Sequence, residues 1–157
     1  MNSKVISSSL ALTVLSICWQ QAEAGSTKWV YEAEIGPRSH SEVAQAIKDR
    51  DASGGMARIA YRETSRQGQV AFAGPMTMEQ PPGTYRVVFR AKVEDNTNSD
   101  TVLSLSVWQE GLGMVVTRDV KASDFAASGK YQDFTLEFTR VPGGLVSTYI
   151  YWRGGYG

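Results

Sequence analysis

Large aromatic side chains are the groups in this sequence best suited to binding chemistry. Trp108 alternates with Ser104 and Ser106, so a strand would place the tryptophan and both serines on one face. Tyr149 and Tyr151 likewise share a face. Aromatic rings stack on the apolar C–H faces of sugars while polar neighbours hydrogen-bond the hydroxyls. We therefore take Trp108, Tyr149 and Tyr151 as candidate ligand-binding residues, with ordinary packing as the alternative for each.

Two glutamates offer a different chemistry. Glu32 and Glu34 are two residues apart in a segment, 29–35, that alternates as a strand does, so both carboxylates would point to one side. Such a pair supplies two of the roughly six to eight oxygens that Ca²⁺ takes. It also matches the carboxyl separation of a glycosidase, about 5 to 10 Å, but any such pair on a strand does so by default. Two solvated glutamates on an edge strand are the remaining alternative.

The sequence lacks the sets of residues that nucleophilic catalysis and zinc binding require. His40 is the only histidine, it lies in a polar run, and no G-x-S-x-G motif is present. Cys18 is the only cysteine, so no disulfide or cysteine–histidine zinc site can be assembled within the chain. We expect no catalysis by this domain.

Alternation of apolar and polar residues predicts strands after residue 60. It is clearest in residues 85–93, 103–108 and 134–138, and turn clusters rich in Gly, Pro, Asn and Asp lie between such segments. Short strands at this spacing are typical of an all-β antiparallel sandwich or jelly roll. The only predicted helix is a short one from Ser41 to Lys48, capped by Ser41.

The first 24 residues have the layout of a secretory signal. A basic start with Lys4 precedes an apolar stretch over 5–19, and Ala22-Glu23-Ala24 is an A-x-A cleavage site. The stretch of about 15 residues is shorter than the roughly 20 that span a bilayer. We therefore predict a signal peptide at 1–24, one mature domain at 25–157, and a secreted protein, extracellular or periplasmic, with no membrane attachment after cleavage.

The charge balance argues against nucleic acid as a partner. The chain has 16 basic and 16 acidic residues, scattered along its length, and a formal net charge of zero. Nucleic-acid binders concentrate Lys and Arg on one face or are basic overall.

Four short patterns recur in a fixed order that is similar to one family. They are Tyr31-Glu32-Ala33-Glu34, Ala52-Ser53-Gly54-Gly55, Gly83-Thr84-Tyr85-Arg86 and Tyr131-Gln132-Asp133-Phe134. In this order they resemble carbohydrate-binding modules of families 6 and 35, over nearly all of residues 25–157. The resemblance implies a galactose-binding-like jelly roll and a structural Ca²⁺ held in part by Glu32 and Glu34.

The resemblance also bears on the loops and on the end of the chain. It implies that Asp51, Arg58 and Tyr61 lie near one end of the sandwich, as candidate ligand-binding residues. A glycine turn closed by a local Asp hydrogen bond is the alternative for this region. The resembling modules have one more strand after the one equivalent to 145–152, so we expect a fragment that lacks the last strand of its fold.

Three functions follow as hypotheses. The first is a secreted, non-catalytic module that binds polysaccharide or glycan and is attached to a carbohydrate-active or cell-surface domain beyond residue 157. The second is a structural or adhesion β-sandwich without a sugar site, and the third is an accessory domain of a glycoside hydrolase. Resemblance in fold does not separate them, since one fold hosts many functions.

Overall fold

The computed structural model describes residues 11–21, 28–32, 43–74, 76–78 and 80–154. Within these ranges the chain forms ten strands and no α-helix, with a short 3₁₀ turn at Ala122–Asp124. The strands are β1 (Ala11–Gln21), β2 (Lys28–Glu32), β3 (Gln45–Lys48), β4 (Met56–Tyr61), β5 (Val70–Ala73), β6 (Gly83–Val93), β7 (Thr101–Gln109), β8 (Gly113–Lys121), β9 (Gln132–Arg140) and β10 (Val146–Trp152). Every strand pair is antiparallel, which confirms the predicted all-β class.

The strands form two sheets. The first has six strands in the order β3-β4-β1-β6-β9, and β2 pairs with β1 beside this path. The second has four strands in the order β5-β10-β7-β8. β4 and β2 pair with successive parts of β1 on one side, while β6 pairs with β1 along its other side. β1 is therefore the strand that joins the two halves of the larger sheet.

A single large core draws residues from both sheets. Alternate side chains of β6, from Tyr85 to Val93, are buried, as are Leu103, Leu105 and Val107 of β7. Phe134, Leu136 and Phe138 of β9 show the same alternation. The predicted strand segments and their buried faces are thus confirmed, and their shared core is that of a sandwich.

Residues of the predicted signal take part in this fold. Residues 11–21 form β1, which pairs with β6 from Leu12 opposite Val93 to Gln21 opposite Tyr85. Ile17, in register with Phe89, is fully buried in the core. The other residues of the predicted signal, 1–10 and 22–24, lie outside the described ranges. Within those ranges, no helix is long and apolar enough to cross a membrane.

The predicted helix at Ser41–Lys48 is wrong. Gln45–Lys48 is the strand β3, paired with Met56–Ile59 of β4. The turn between them is closed by a hydrogen bond from Asp49 N to Gly55 O, and Gly55 has φ +73°, which favours glycine. A helix of two turns would leave most of its terminal backbone groups without partners, whereas the hairpin pairs them with β4.

An ion pair joins the turn of this hairpin to β6 of the same sheet. Lys92 Nζ of β6 lies 2.6 Å from Asp49 Oδ2, and the Tyr131 hydroxyl donates to the same oxygen at 2.9 Å. The Lys92 and Asp49 side chains are only 13% and 9% exposed. The hydrogen bond from Lys92 lowers the pKa of Asp49 below its ordinary value of 3.8, with further hydrogen bonds from the Asp51 amide and Tyr131.

We expect Asp49 to make the fold sensitive to acid. Because its folded pKa is below its unfolded pKa, the carboxylate contributes stability above pH 3.8, and this is lost as the pH falls through the folded value. Asp49→Asn should therefore be less stable at neutral pH and should lose less stability below about pH 4. Urea unfolding at a series of pH values measures both effects, with Asp133→Asn, an exposed partner of Arg90, as control. Parallel pH profiles for Asp49→Asn and the unchanged protein would contradict the prediction.

Candidate functional site

The outer face of the four-stranded sheet carries the three aromatic residues predicted to bind a ligand. Each of them stands directly opposite a serine of the neighbouring strand. The cross-strand pairs are Tyr149 with Ser106, Tyr151 with Ser104, and Trp108 with Ser147. The opposite face of β10 carries Trp152, which is fully buried, and its indole Nε1–H donates to Ser65 O at 3.3 Å. The alternation along β7 and β10 therefore divides the aromatic residues between the core and the outer surface.

The aromatic rings form the surface of this face because they stand among small residues. The serines opposite them are 0–2% exposed, whereas Trp108, Tyr149 and Tyr151 remain partly exposed. A serine extends less far from the sheet than a tyrosine, so its larger neighbours cover it. The Tyr149 and Tyr151 rings are close to parallel, with centroids 6.0 Å apart and an interplanar angle of 28°. We call Trp108, Tyr149 and Tyr151 the aromatic platform.

Polar groups border the aromatic platform along β8 and at the end of β10. Asp119 accepts a hydrogen bond from the Ser104 hydroxyl, and the Ser106 and Thr117 hydroxyls are 3.0 Å apart. Arg153 Nε donates to Ser104 Oγ at 2.8 Å, and the guanidinium carbon lies 5.8 Å from the Tyr151 ring centroid. A negatively charged carboxylate, a positively charged guanidinium and neutral hydroxyls thus lie at the edge of the rings.

The Tyr151 hydroxyl stays neutral in this setting. Burial raises its pKa above the ordinary value of 10.0, the neighbouring Tyr149 raises it further, and Arg153 opposes the shift. At neutral pH the phenol therefore keeps its proton and can both donate and accept a hydrogen bond. This is the property that a contact with an alcohol requires.

An apolar tip continues the surface beyond Trp108. Met114 of β8 stands opposite Trp108 and is 47% exposed, and Leu112 in the turn is 57% exposed. Gly111 and Gly113 have φ values of +81° and +78°, so the turn requires glycine on both sides of Leu112. We call Trp108, Leu112 and Met114 the hairpin tip.

A cavity of about 240 Å³ opens at the other end of β10. It lies where the loops after β4 and β10 meet the start of β7. Its lining residues are Arg62, Gln67, Asp100, Thr101, Arg153 and Gly154. Arg153 belongs both to this cavity and to the border of the platform, which makes the two surfaces neighbours.

Other predicted site residues lie on the six-stranded sheet and do not join the platform. Asp51 is exposed in the turn before β4, and its amide donates to Asp49 Oδ1 at 3.0 Å. Arg58 is 9% exposed and donates from Nη1 to Ala44 O at 2.9 Å. Tyr61 ends β4, one residue before Arg62 of the cavity. These three residues thus lie on or beside the six-stranded sheet, whereas the aromatic platform lies on the four-stranded sheet.

The predicted calcium ligands cannot be placed. β2 ends at Glu32, whose side chain lies outside the description, as does the whole of Glu34. Among the residues that the structure describes, no three His, Cys, Asp or Glu side chains are grouped closely enough to hold a metal ion.

No family model, no curated protein and no solved structure matches this chain.

Several residues at the site were not found from the sequence. Arg153 continues the outward alternation of Tyr149 and Tyr151, so that pattern could have identified it. Asp119 and the Arg62–Asp100 pair gave no such signal, because they reach the site from strands and loops distant in sequence.

Proposed function

We propose that this protein is a secreted, non-catalytic module that binds polysaccharide or glycan on its aromatic platform. The observation that carries the proposal is that three partly exposed aromatic rings share one face of a sheet, with hydrogen-bonding groups at their edges. Sugars present an apolar ring face and a rim of hydroxyls, and both have a counterpart here. Calcium bound through Glu32 and Glu34 remains part of the proposal.

Binding would proceed by stacking and hydrogen bonding, without bond cleavage. A pyranose ring lies against the Tyr149 and Tyr151 rings, and the Tyr151 hydroxyl, Thr117 and Asp119 meet its hydroxyl groups. These side chains are on paired strands rather than in long loops, so little conformational freedom is lost when a ligand binds. Trp108 extends the contact toward a second sugar unit.

Truncation of the aromatic platform should abolish most of the affinity. We expect Tyr151→Ala and Trp108→Ala each to weaken binding by about tenfold or more, since buried aromatic contacts dominate the energetics of such sites. The measurement is affinity electrophoresis of the full chain, residues 1–157, through gels that contain a panel of polysaccharides, with calcium and with chelator. One glycan should retard the unchanged protein and should not retard the variants.

Variants on the six-stranded sheet serve as controls. Tyr61→Ala removes a partly exposed tyrosine from β4, and Arg86→Ala removes an exposed arginine paired with Glu137. Neither should alter retardation. Loss of binding in Tyr61→Ala but not in Tyr151→Ala would place the site near β4 instead, and no retardation by any glycan with folded protein would refute the proposal.

A second candidate function is a structural or interaction domain, and the hairpin tip favours it. Leu112 and Met114 are among the most exposed large apolar side chains of the described residues, and they adjoin Trp108. Such patches mark protein–protein contacts. Replacing both residues by serine should leave glycan retardation intact, whereas it should disrupt a complex formed through the tip, which light scattering or pull-down would detect.

A further inference from the structure

The cavity beside the aromatic platform carries an excess of positive charge. It contains two guanidinium groups, Arg62 and Arg153, and one carboxylate, Asp100. Arg62 Nη2 lies 2.8 Å from Asp100 Oδ2, so these two charges compensate each other, and Arg62 Nε also donates to Gly154 O at 3.3 Å. The charge left over in the cavity is that of Arg153.

Arg153 is held in place but keeps donors for a ligand. Its Nε donates to Ser104 Oγ, and within the described part of the chain no carboxylate lies within ion-pair distance of it. The same Ser104 hydroxyl donates to Asp119. Both Nη groups of Arg153 are therefore not bonded to any described residue. A guanidinium fixed in this way presents parallel N–H donors that fit the two oxygens of a carboxylate or sulfate.

The volume of the cavity limits what it can take. About 240 Å³ is less than the roughly 300–1,000 Å³ typical of pockets that enclose drug-sized ligands. The cavity suits one substituent or one sugar unit. Because the Arg153 guanidinium carbon lies 5.8 Å from the Tyr151 ring centroid, a sugar in contact with the exposed part of that tyrosine would have its substituent next to the guanidinium.

We propose that the cavity formed by Arg62, Asp100 and Arg153 binds the anionic group of an acidic polysaccharide, a carboxylate or a sulfate, while the sugar ring rests on Tyr151. This inference rests on the proposed function and specifies its ligand class. Arg153 provides the charge, Ser104 orients it, and the Gln67 and Thr101 side chains supply neutral polar contacts at the wall.

The test compares charged polymers with their neutral counterparts. Polygalacturonate is set against its methyl ester, and dextran sulfate against dextran, so that the carboxylate and sulfate arms are separate. The full chain should bind at least one acidic polymer about tenfold or more tightly than its neutral partner, with an affinity that falls as salt is added. Arg153→Gln should remove this preference, so that the acidic polymer binds no more tightly than its neutral partner, and Arg153→Lys should restore only part of it.

Arg86→Gln is the matched control, because it also removes one positive charge but from the six-stranded sheet. It should change the preference little. Equal binding of acidic and neutral polymers, or an acidic preference that survives in Arg153→Gln, would overturn this inference while leaving the platform proposal intact. Absence of binding to every polymer would overturn both.

Discussion

A chain that begins at Gly25 is expected to lose the cooperative fold of the full chain. β1 lies between β4 and β6, so its removal divides the six-stranded sheet into β3–β4 and β6–β9 and takes from β2 the strand with which it pairs. Nine residues of β6, five of β2 and four of β4 lose their register partners on β1, and the buried Phe89 loses Ile17 beside it. Domain stabilities are only about 5–15 kcal/mol, and the loss of a central strand exceeds what such a margin tolerates.

Three lengths of chain test this expectation. Residues 1–157 and 11–157 both retain β1 and should show the same sharp urea transition, whereas residues 25–157 should show none or a much earlier one. Circular dichroism and tryptophan fluorescence follow the transition. If the chain of residues 25–157 unfolds at the same urea concentration as the other two, β1 is not an essential strand of the domain.

The same test bears on secretion. A molecule cleaved after Ala24 lacks β1. The cleaved protein therefore needs another strand between β4 and β6 to keep the larger sheet continuous. Arg62, which follows β4, donates to Gly154 O, and Tyr61 stands opposite Ala11 at the start of β1. A strand added after Gly157 would thus start near the end of β4 at which β1 starts. Residues 11–21 moved there by a short glycine linker should restore the transition, and the same residues in scrambled order should not.

The sequence predicted what depends on alternation. Period-two patterns identified β6, β7 and β9 with their buried faces, and they placed Tyr149 and Tyr151 together on one face of β10. Which face of β10 is buried came from the structure, in which Trp152 lies in the core. β3 was predicted as a helix, since four residues carry too little periodicity to distinguish the two structures. Residues 11–21 have the apolar character of both a leader and a buried strand, so composition alone does not show that they pair with β6.

The sheet to which each strand belongs was not predictable in the same way. The family resemblance implied that Arg58 and Tyr61 lie near one end of the sandwich as candidate ligand-binding residues. The structure places both on β4 of the six-stranded sheet, whereas the aromatic platform belongs to the other sheet. Strand order is set by packing among distant segments, and no local pattern in β4 reports it. The arrangement of Arg62, Asp100 and Arg153 depends on the same long-range order.

Lys92→Met is expected to destabilise the fold by about 3–5 kcal/mol, the cost of breaking a buried ion pair from one side. The variant leaves the Asp49 carboxylate nearly buried, and among the described residues its remaining donors are the Tyr131 hydroxyl and the Asp51 amide. It also removes the ammonium group that lies 4.7 Å from the Tyr131 ring centroid. Urea unfolding at neutral pH measures the loss.

Two further variants distinguish the cost of breaking the buried Lys92–Asp49 ion pair from the cost of removing any positive charge. Arg90→Met removes a cation two residues earlier on the same strand, but its partner Asp133 is exposed, so the cost should be about 1 kcal/mol or less. Lys92→Met combined with Asp49→Asn removes both buried charges and should recover much of the stability lost in Lys92→Met. If Arg90→Met and Lys92→Met cost the same, or if the double variant is the least stable of all, the pair does not act as a buried link between the 49–55 turn and β6.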